Sequence, residues 1–246
     1  MILTLRSAWS RHALFCIAGV AALGAAASAR AESRPVVVME LFTSQGCASC
    51  PAADALFHKF AARSDVIALT LSVDYWDHIG WKDTLARPEN AKRQRAYARK
   101  RPSGDGRIYT PQLVFNGVAC APAKSEKAIE AELVRVPKTD PARAPMRAHH
   151  AGDDLVIDVG EAAPHNATLW LFHVSPRVDV NIERGENSGR SVAYANAVRG
   201  IVNLGGWTGA AAQYRAKASA PAGDFYVALV QSDETGAVLN AIDIRR

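Results

Sequence analysis

Two cysteines separated by Ala48 and Ser49, in the string Gly46-Cys-Ala-Ser-Cys-Pro51, have the type and spacing for redox chemistry. A cycling dithiol needs one sulfur as an accessible thiolate and a second close enough to resolve the mixed disulfide. Two intervening residues at the start of a helix meet both needs, because the helix amides and dipole stabilise the first thiolate. Cys47 is therefore expected to be exposed and to attack, and Cys50, inside the first turn, to be more buried and to resolve. The loop that such a pair closes is too short to act as much of a staple, since loop-closure entropy grows with length. Zinc sites share the spacing, but there is no second C-x-x-C or C-x-x-H, and the histidines, His149-His150 apart, are scattered. No metal ligand set is expected.

A change of period marks the elements that must position this pair. Residues 36–42 read as a buried strand, residues 43–46 break it, and Ala53, Leu56, Phe57 and Phe60 follow at helical spacing behind Pro51. Residues 66–73 read as a second buried strand. The result is a βαβ unit with the cysteines at the carboxyl end of a strand and the amino end of a helix. Residues 74–108 form an aromatic and basic insertion, with a helix from Pro88 to about Arg101 whose basic face is solvated. Leu113-Val-Phe115 is a short strand ended by the hairpin turn Asn116-Gly117. Residues 125–136 suit a helix capped by Ser125 and stopped by Pro137.

Thr110-Pro111, just before a core strand, is the second chemical feature. Pro cannot donate to the ladder and in a tight loop can be cis; facing the dithiol, such a loop would offer backbone groups to a substrate peptide and block metal capture. An ordinary trans Pro at a strand start fits the sequence equally well. Glu40, near the end of the first strand, and Asp74, at the end of the second, are candidates to take the resolving thiol's proton, or else a salt-bridged strand-end acid and a loop cap. Trp76, Trp81 and Tyr109 are candidates for the rim of an apolar peptide groove, or for core filling. Cys120 is expected to be a buried small hydrophobe.

The order of strand, C-x-x-C, helix, strand, then Thr-Pro before a strand and hairpin resembles the thioredoxin-like superfamily. The fuller string from Glu40 to Asp54 quotes Glu-Leu-Phe-Thr-Ser-Gln-Gly-Cys-Ala-Ser-Cys-Pro-Ala-Ala-Asp. With Val73-Asp-Tyr-Trp-Asp77, Gly80-Trp-Lys-Asp83, Gln94-Arg-Ala-Tyr97, Tyr109-Thr-Pro-Gln112 and Gly185-Glu-Asn-Ser-Gly-Arg190, it more closely resembles a family of bacterial secreted proteins named only as domain of unknown function twelve twenty-three. The resemblance covers nearly the whole chain beyond the leader. It implies an α/β thioredoxin-like domain and dithiol chemistry, and no substrate. Ala48-Ser49 departs from the dipeptides of thioredoxins and disulfide oxidases, so no redox direction carries over.

Residues 1–31 carry Arg6, Arg11 and Arg30, no acid, an apolar run over 13–23, and the small-x-small exits Ala27-Ser-Ala29 and Ala29-Arg-Ala31. This is the pattern of a secretory signal peptide cleaved after Ala29 or Ala31, and it implies a secreted or periplasmic protein with no membrane span once the leader is gone. The formal charge of +5, from 29 basic and 24 acidic residues, falls to +2 without the three leader arginines. No nucleic-acid partner is expected. At residues 137–145 three prolines mark a linker, and strand-like runs at 155–159, 167–174, 178–182, 225–230 and 238–244 follow. The expected organisation is a signal peptide (1–31), a thioredoxin-like domain (32–140) and a C-terminal β-rich, sandwich-like extension (145–246). The expected activity is exported thiol-disulfide oxidoreduction on a protein or small-molecule thiol or disulfide, with a separate electron-transfer partner and no dissociable cofactor. A non-catalytic binding module of the cell envelope and a soft-metal (copper) carrier are the alternatives.

Overall fold

The computed structural model describes residues 31–100 and 106–245. In chain order these form β1 (Ala31–Glu32), β2 (Val37–Thr43), α1 (Cys50–Ala61), β3 (Val66–Ser72), a short 3-10 turn (Asp77–Ile79) and α2 (Pro88–Lys100). Next come β4 (Gln112–Phe115), β5 (Ala119–Pro122), α3 (Glu126–Arg135), β6 (Met146–Ala151), β7 (Asp154–Val159) and β8 (Ala167–Asn181). β9 (Ser191–Trp207), β10 (Ala212–Lys217), β11 (Phe225–Ser232) and β12 (Val238–Ile244) complete the chain.

β2 and β3 are buried along their whole length, as their near-continuous apolar runs require, and pair in parallel from Val37↔Val66 to Thr43↔Ser72. Parallel pairing forces a crossover, and α1 supplies it. β4 runs antiparallel to β2 and turns into β5 through Asn116 (φ 46) and Gly117 (φ 69), the left-handed pair that a tight hairpin demands. Gly117 is required twice over, because a Cβ there would collide with the carbonyl oxygen of Gly236 in the β11–β12 turn. Ser125 caps α3 by accepting from the Ala128 amide at 3.2 Å.

The fold class read from the sequence needs correction. The chain is not an α/β thioredoxin-like domain followed by a separate sandwich; it is a β-rich fold of two sheets, with three helices among the described residues. The larger sheet has eight strands in the order β12-β11-β8-β9-β3-β2-β4-β5, and the smaller has four in the order β1-β6-β7-β10. The reason lies at the outer edge of β3. Left alone that edge would expose unpaired backbone groups, and here β9 docks against it through Thr70↔Ala197, carrying β8, β11 and β12 into the same sheet. The boundary expected at 140–145 therefore does not interrupt the eight-stranded sheet. β8 also runs unbroken through Ser175, Pro176 and Arg177, where the sequence suggests two strands.

Side chains alternate across this sheet. Val37, Met39 and Leu41 meet Phe57 and Phe60 of α1 and Ile129 and Leu133 of α3. Further along the same face, Leu169, Leu171, Ala228 and Val230 pack on Leu155, Ile157 and Val159 of the four-stranded sheet. The opposite face, including Val38, Phe42, Leu71, Phe172 and Val174, takes Tyr97 of α2.

Candidate functional site

Where β2 ends and α1 begins, Cys47 and Cys50 form a disulfide with their Cα atoms 5.4 Å apart. The Cys50 amide donates to the Cys47 carbonyl at 3.1 Å, and the Cys47 amide donates to the Ser44 carbonyl at 3.1 Å. Pro51 occupies the first helical turn, where a missing N–H costs nothing. Ala48 and Ser49 are exposed, but Cys47 is only 2% exposed and Cys50 is fully buried. Cys47 thus departs from the expectation of an exposed sulfur. From the β8–β9 connection, buried Asn187 donates from Nδ2 to the carbonyls of both Gln45 and Cys47 at 2.9 Å. On the other side a Cβ at Gly46 would stand 3.1 Å from the Trp76 Cβ, so glycine lets the ring pack against the loop.

A second set of bonds fixes the loop from the segment after β3. Asp83 accepts from the amides of Gln45 (2.8 Å), Leu85 (2.8 Å) and Ala86 (3.0 Å), and its burial pushes the carboxyl up to about 6. Trp81 donates from Nε1 to Gln45 Oε1 at 2.7 Å. Trp76 donates from Nε1 to Thr110 Oγ1 at 2.8 Å, and the Thr110–Pro111 peptide is cis. Because Gln112 pairs with Phe42, the cis bond lies at the end of the sheet that carries the cysteines. Cys47, Cys50, Trp76, Thr110 and Pro111 are therefore brought together, with Trp81 joined to them through Gln45. Tyr109 is half-buried nearby, its carbonyl accepting from Gln94 Nε2 at 2.8 Å.

Of the two acids singled out from sequence, Glu40 lies on the other face of the sheet. Glu40 alternates with Met39 and Leu41, so it faces α2 rather than α1. There it is buried and held by Arg93, with Nη2 to Oε1 at 2.9 Å, and by the Tyr97 hydroxyl. Asp74 is half-exposed, and its backbone carbonyl accepts from the Asp77 amide at 3.1 Å. Cys120 is half-buried on β5 opposite Val114, outside the disulfide.

The carboxyl beneath the disulfide is Asp54. It stands four residues after Cys50 on α1, hence on the same helix face, and is 2% exposed. Among the described residues its two oxygens, the Thr43 hydroxyl and the Tyr194 hydroxyl are buried without hydrogen bonds of good geometry. Burial raises the Asp54 carboxyl to about 8; the neighbouring Thr43 hydroxyl offsets this in part and the Asp83 charge adds to it. Asp54 escapes the sequence reading because a lone Asp in a first helical turn and a half ordinarily faces water. Its one signal is the i, i+4 spacing from Cys50 on an otherwise apolar face, with Ala53, Phe57 and Phe60 buried beside it. Asn187, Gln45 and Asp83 sit in three strings far apart in sequence, and only the fold joins them.

The site and fold define a class: a two-sheet, β-rich protein with a buried C-x-x-C disulfide at a strand–helix junction and a cis-proline loop at the same end of the sheet. The chain belongs to the family described as protein of unknown function, DUF1223, whose model matches residues 38–231. It is similar to protein AGR_C_4864 from Agrobacterium tumefaciens, known from a crystal structure, at 30% identity and a TM-score of 0.70, over 86% of this chain and 95% of that one. It shares its fold with HBP35 of Porphyromonas gingivalis at 13% identity and a TM-score of 0.63, over 85% of this chain and 74% of that one. No functionally curated protein matches it.

Proposed function

We propose that the protein is an exported thiol-disulfide oxidoreductase whose redox centre is the Cys47–Cys50 pair. The observation that carries this reading is the buried Asp54 carboxyl one turn below Cys50, raised by burial to about 8 and so matched to a thiol, whose ordinary value is ~8.5. A carboxyl buried in a core with no ion pair among the described residues is destabilising and calls for a role.

A substrate thiolate attacks Cys47 Sγ and the Cys47–Cys50 bond breaks. A mixed disulfide forms, and the Cys50 thiolate takes the proton held by Asp54. A second substrate thiolate then attacks the substrate sulfur and releases the Cys47 thiolate. The substrate dithiol loses two electrons, and the protein disulfide gains them. In the reverse direction the Asp54 carboxylate accepts the Cys50 proton, Cys50 attacks Cys47 Sγ and a reduced substrate thiolate departs. The centre cycles without a dissociable cofactor. Trp76 and the Thr110–Pro111 loop would border the approach to Cys47, with Trp81 and Tyr109 behind them. The segment 32–140 carries the chemistry in this reading, and 145–246 supplies the cover. Export rests on the leader, which lies outside the described residues save for Ala31. Cleavage after Ala29 is favoured, because it leaves β1 whole, with Ala31 opposite Ala148.

A Cys50→Ala protein is expected to accumulate mixed disulfides through Cys47 with its substrates, and Cys47→Ala to accumulate none. The second reading, a binding module with a structural disulfide, is favoured by the 2% exposure of Cys47. It predicts that Cys50→Ala traps nothing.

A further inference from the structure

A groove of about 530 Å³ lies between α1 and the start of β9 and reaches Pro51, the neighbour of Cys50 in the chain. Its α1 wall presents Pro51, Ala55 and His58, and its other wall presents Arg177, Arg190 and Ala193. Seven residues of helix separate Pro51 from His58, about 10 Å, the span of roughly three extended residues. The groove has a chemical direction. At one end Asn187 bonds the Cys47 carbonyl, and at the other His58 Nε2 bonds the Ala193 carbonyl at 2.9 Å. Arg190 lies between Asn187 and Ala193 in the chain and lines this groove.

The charge of this groove is one-sided. Arg177 is matched by Asp179, with Nη2 to Oδ1 at 2.7 Å. Arg190 is exposed and carries no ion pair among the described residues, and α1 has no acid in its first turn. Glu183 and Glu186 are exposed on the same connection but do not line the groove. We infer that the substrate is a polypeptide that carries, within about three residues of its redox cysteine, acidic side chains that lie in this groove on Arg190. Resting on the oxidoreductase reading, this names the substrate class of that site. It also accounts for a covered Cys47. Arg190 and Asn187 share one short connection, in which the Arg190 amide donates to the Asn187 carbonyl at 3.1 Å. An acidic segment that draws on Arg190 therefore acts on the segment that closes the sulfur.

The test uses two dithiol peptides of one length and sequence, differing only in Glu or Lys at the three positions on either side of each cysteine. Each is used to reduce the full leader-less protein at low salt, and the ratio of the two second-order rates is read. The expected ratio is about five- to tenfold in favour of Glu, shrinking as salt screens the charges. Arg190→Lys keeps the preference and Arg190→Glu abolishes or inverts it; because a ratio is read, a general loss of activity cancels. Equal rates for the two peptides in the wild type, or a preference that survives Arg190→Glu, overturn the inference while leaving the oxidoreductase reading intact. No reduction by either peptide, nor by dithiothreitol, overturns both.

Discussion

The Asp54 carboxyl, buried with no ion pair among the described residues, stays protonated in the folded chain up to about pH 8. The unfolded carboxyl titrates near 3.8, so the folded state binds this proton more tightly. Its contribution is fully present below about pH 4, is lost as pH rises toward 8, and stays constant above, with a total on the order of 5 kcal/mol. Asp83, raised to about 6 by burial, adds a smaller change of the same sign. Asp54→Asn removes the larger part of this dependence. In thermal unfolding the variant is expected to gain on the wild type steadily from pH 4 to 8; a gap that does not change with pH would contradict this. The same substitution is expected to slow release of the trapped substrate by about 10²-fold, the usual worth of a placed proton acceptor. Resolution at wild-type speed would remove Asp54 from the chemistry.

At the scale of elements, the connection from β8 to β9 is expected to limit access to the disulfide. It is pinned by Ile182 N to Arg190 O at 2.9 Å and Gly189 N to Ile182 O at 2.8 Å, and closed over the cysteine loop by the two Asn187 bonds. Asn187→Ala loses two buried hydrogen bonds of about 1 kcal/mol each, so reduction of the disulfide by dithiothreitol should accelerate about ten- to thirtyfold. An unchanged rate would mean that the connection does not gate access. On the other face of the sheet, α2 is anchored by Glu40 and Arg93, 1% and 7% exposed. Glu40→Gln strips a buried guanidinium of its counterion and should cost about 3 kcal/mol in denaturant unfolding. If it instead halts exchange in protein that remains folded, Glu40 belongs to the chemistry after all.

The elements around the cysteines were readable because each carries a local rule: an apolar run for β2 and β3, a helical period behind Pro51, Asn-Gly for the β4–β5 turn, Ser125 for α3. β9 was not readable. Asn196 at φ 49, Gly200 and the Gly205-Gly206 pair interrupt its pattern, and its length is sustained by pairing with β8 rather than by its own residues. Pro176 likewise suggests a break in β8. It lies opposite Asn196, which sits at φ 49 and donates from its side-chain Nδ2 to the Ala68 carbonyl at 3.0 Å.

For the whole molecule, this unseen pairing is what changes the architecture. The two halves look separable in composition, with a proline-rich stretch between them, yet the β3 edge is completed by β9, and one apolar cluster runs from Val38 and Leu71 to Phe172 and Val227. A fragment of residues 32–140 would expose that edge and half of that cluster. It is expected to lack a cooperative thermal transition, and a sharp two-state melt of the fragment would show that the halves fold independently. The redox pair was legible as a pair, but its cover was not, since Asn187 lies 140 residues from Cys47 and reaches it only through the long β8–β9 hairpin. The central claim is that this covered disulfide is nonetheless redox-active. The direct measurement equilibrates the folded, leader-less protein across glutathione buffers from oxidising to reducing and counts Cys47 and Cys50 thiols by alkylation and mass. One reversible two-electron transition, the same from either direction, is the predicted result. A pair that stays oxidised throughout and yields only when the protein unfolds would contradict the account.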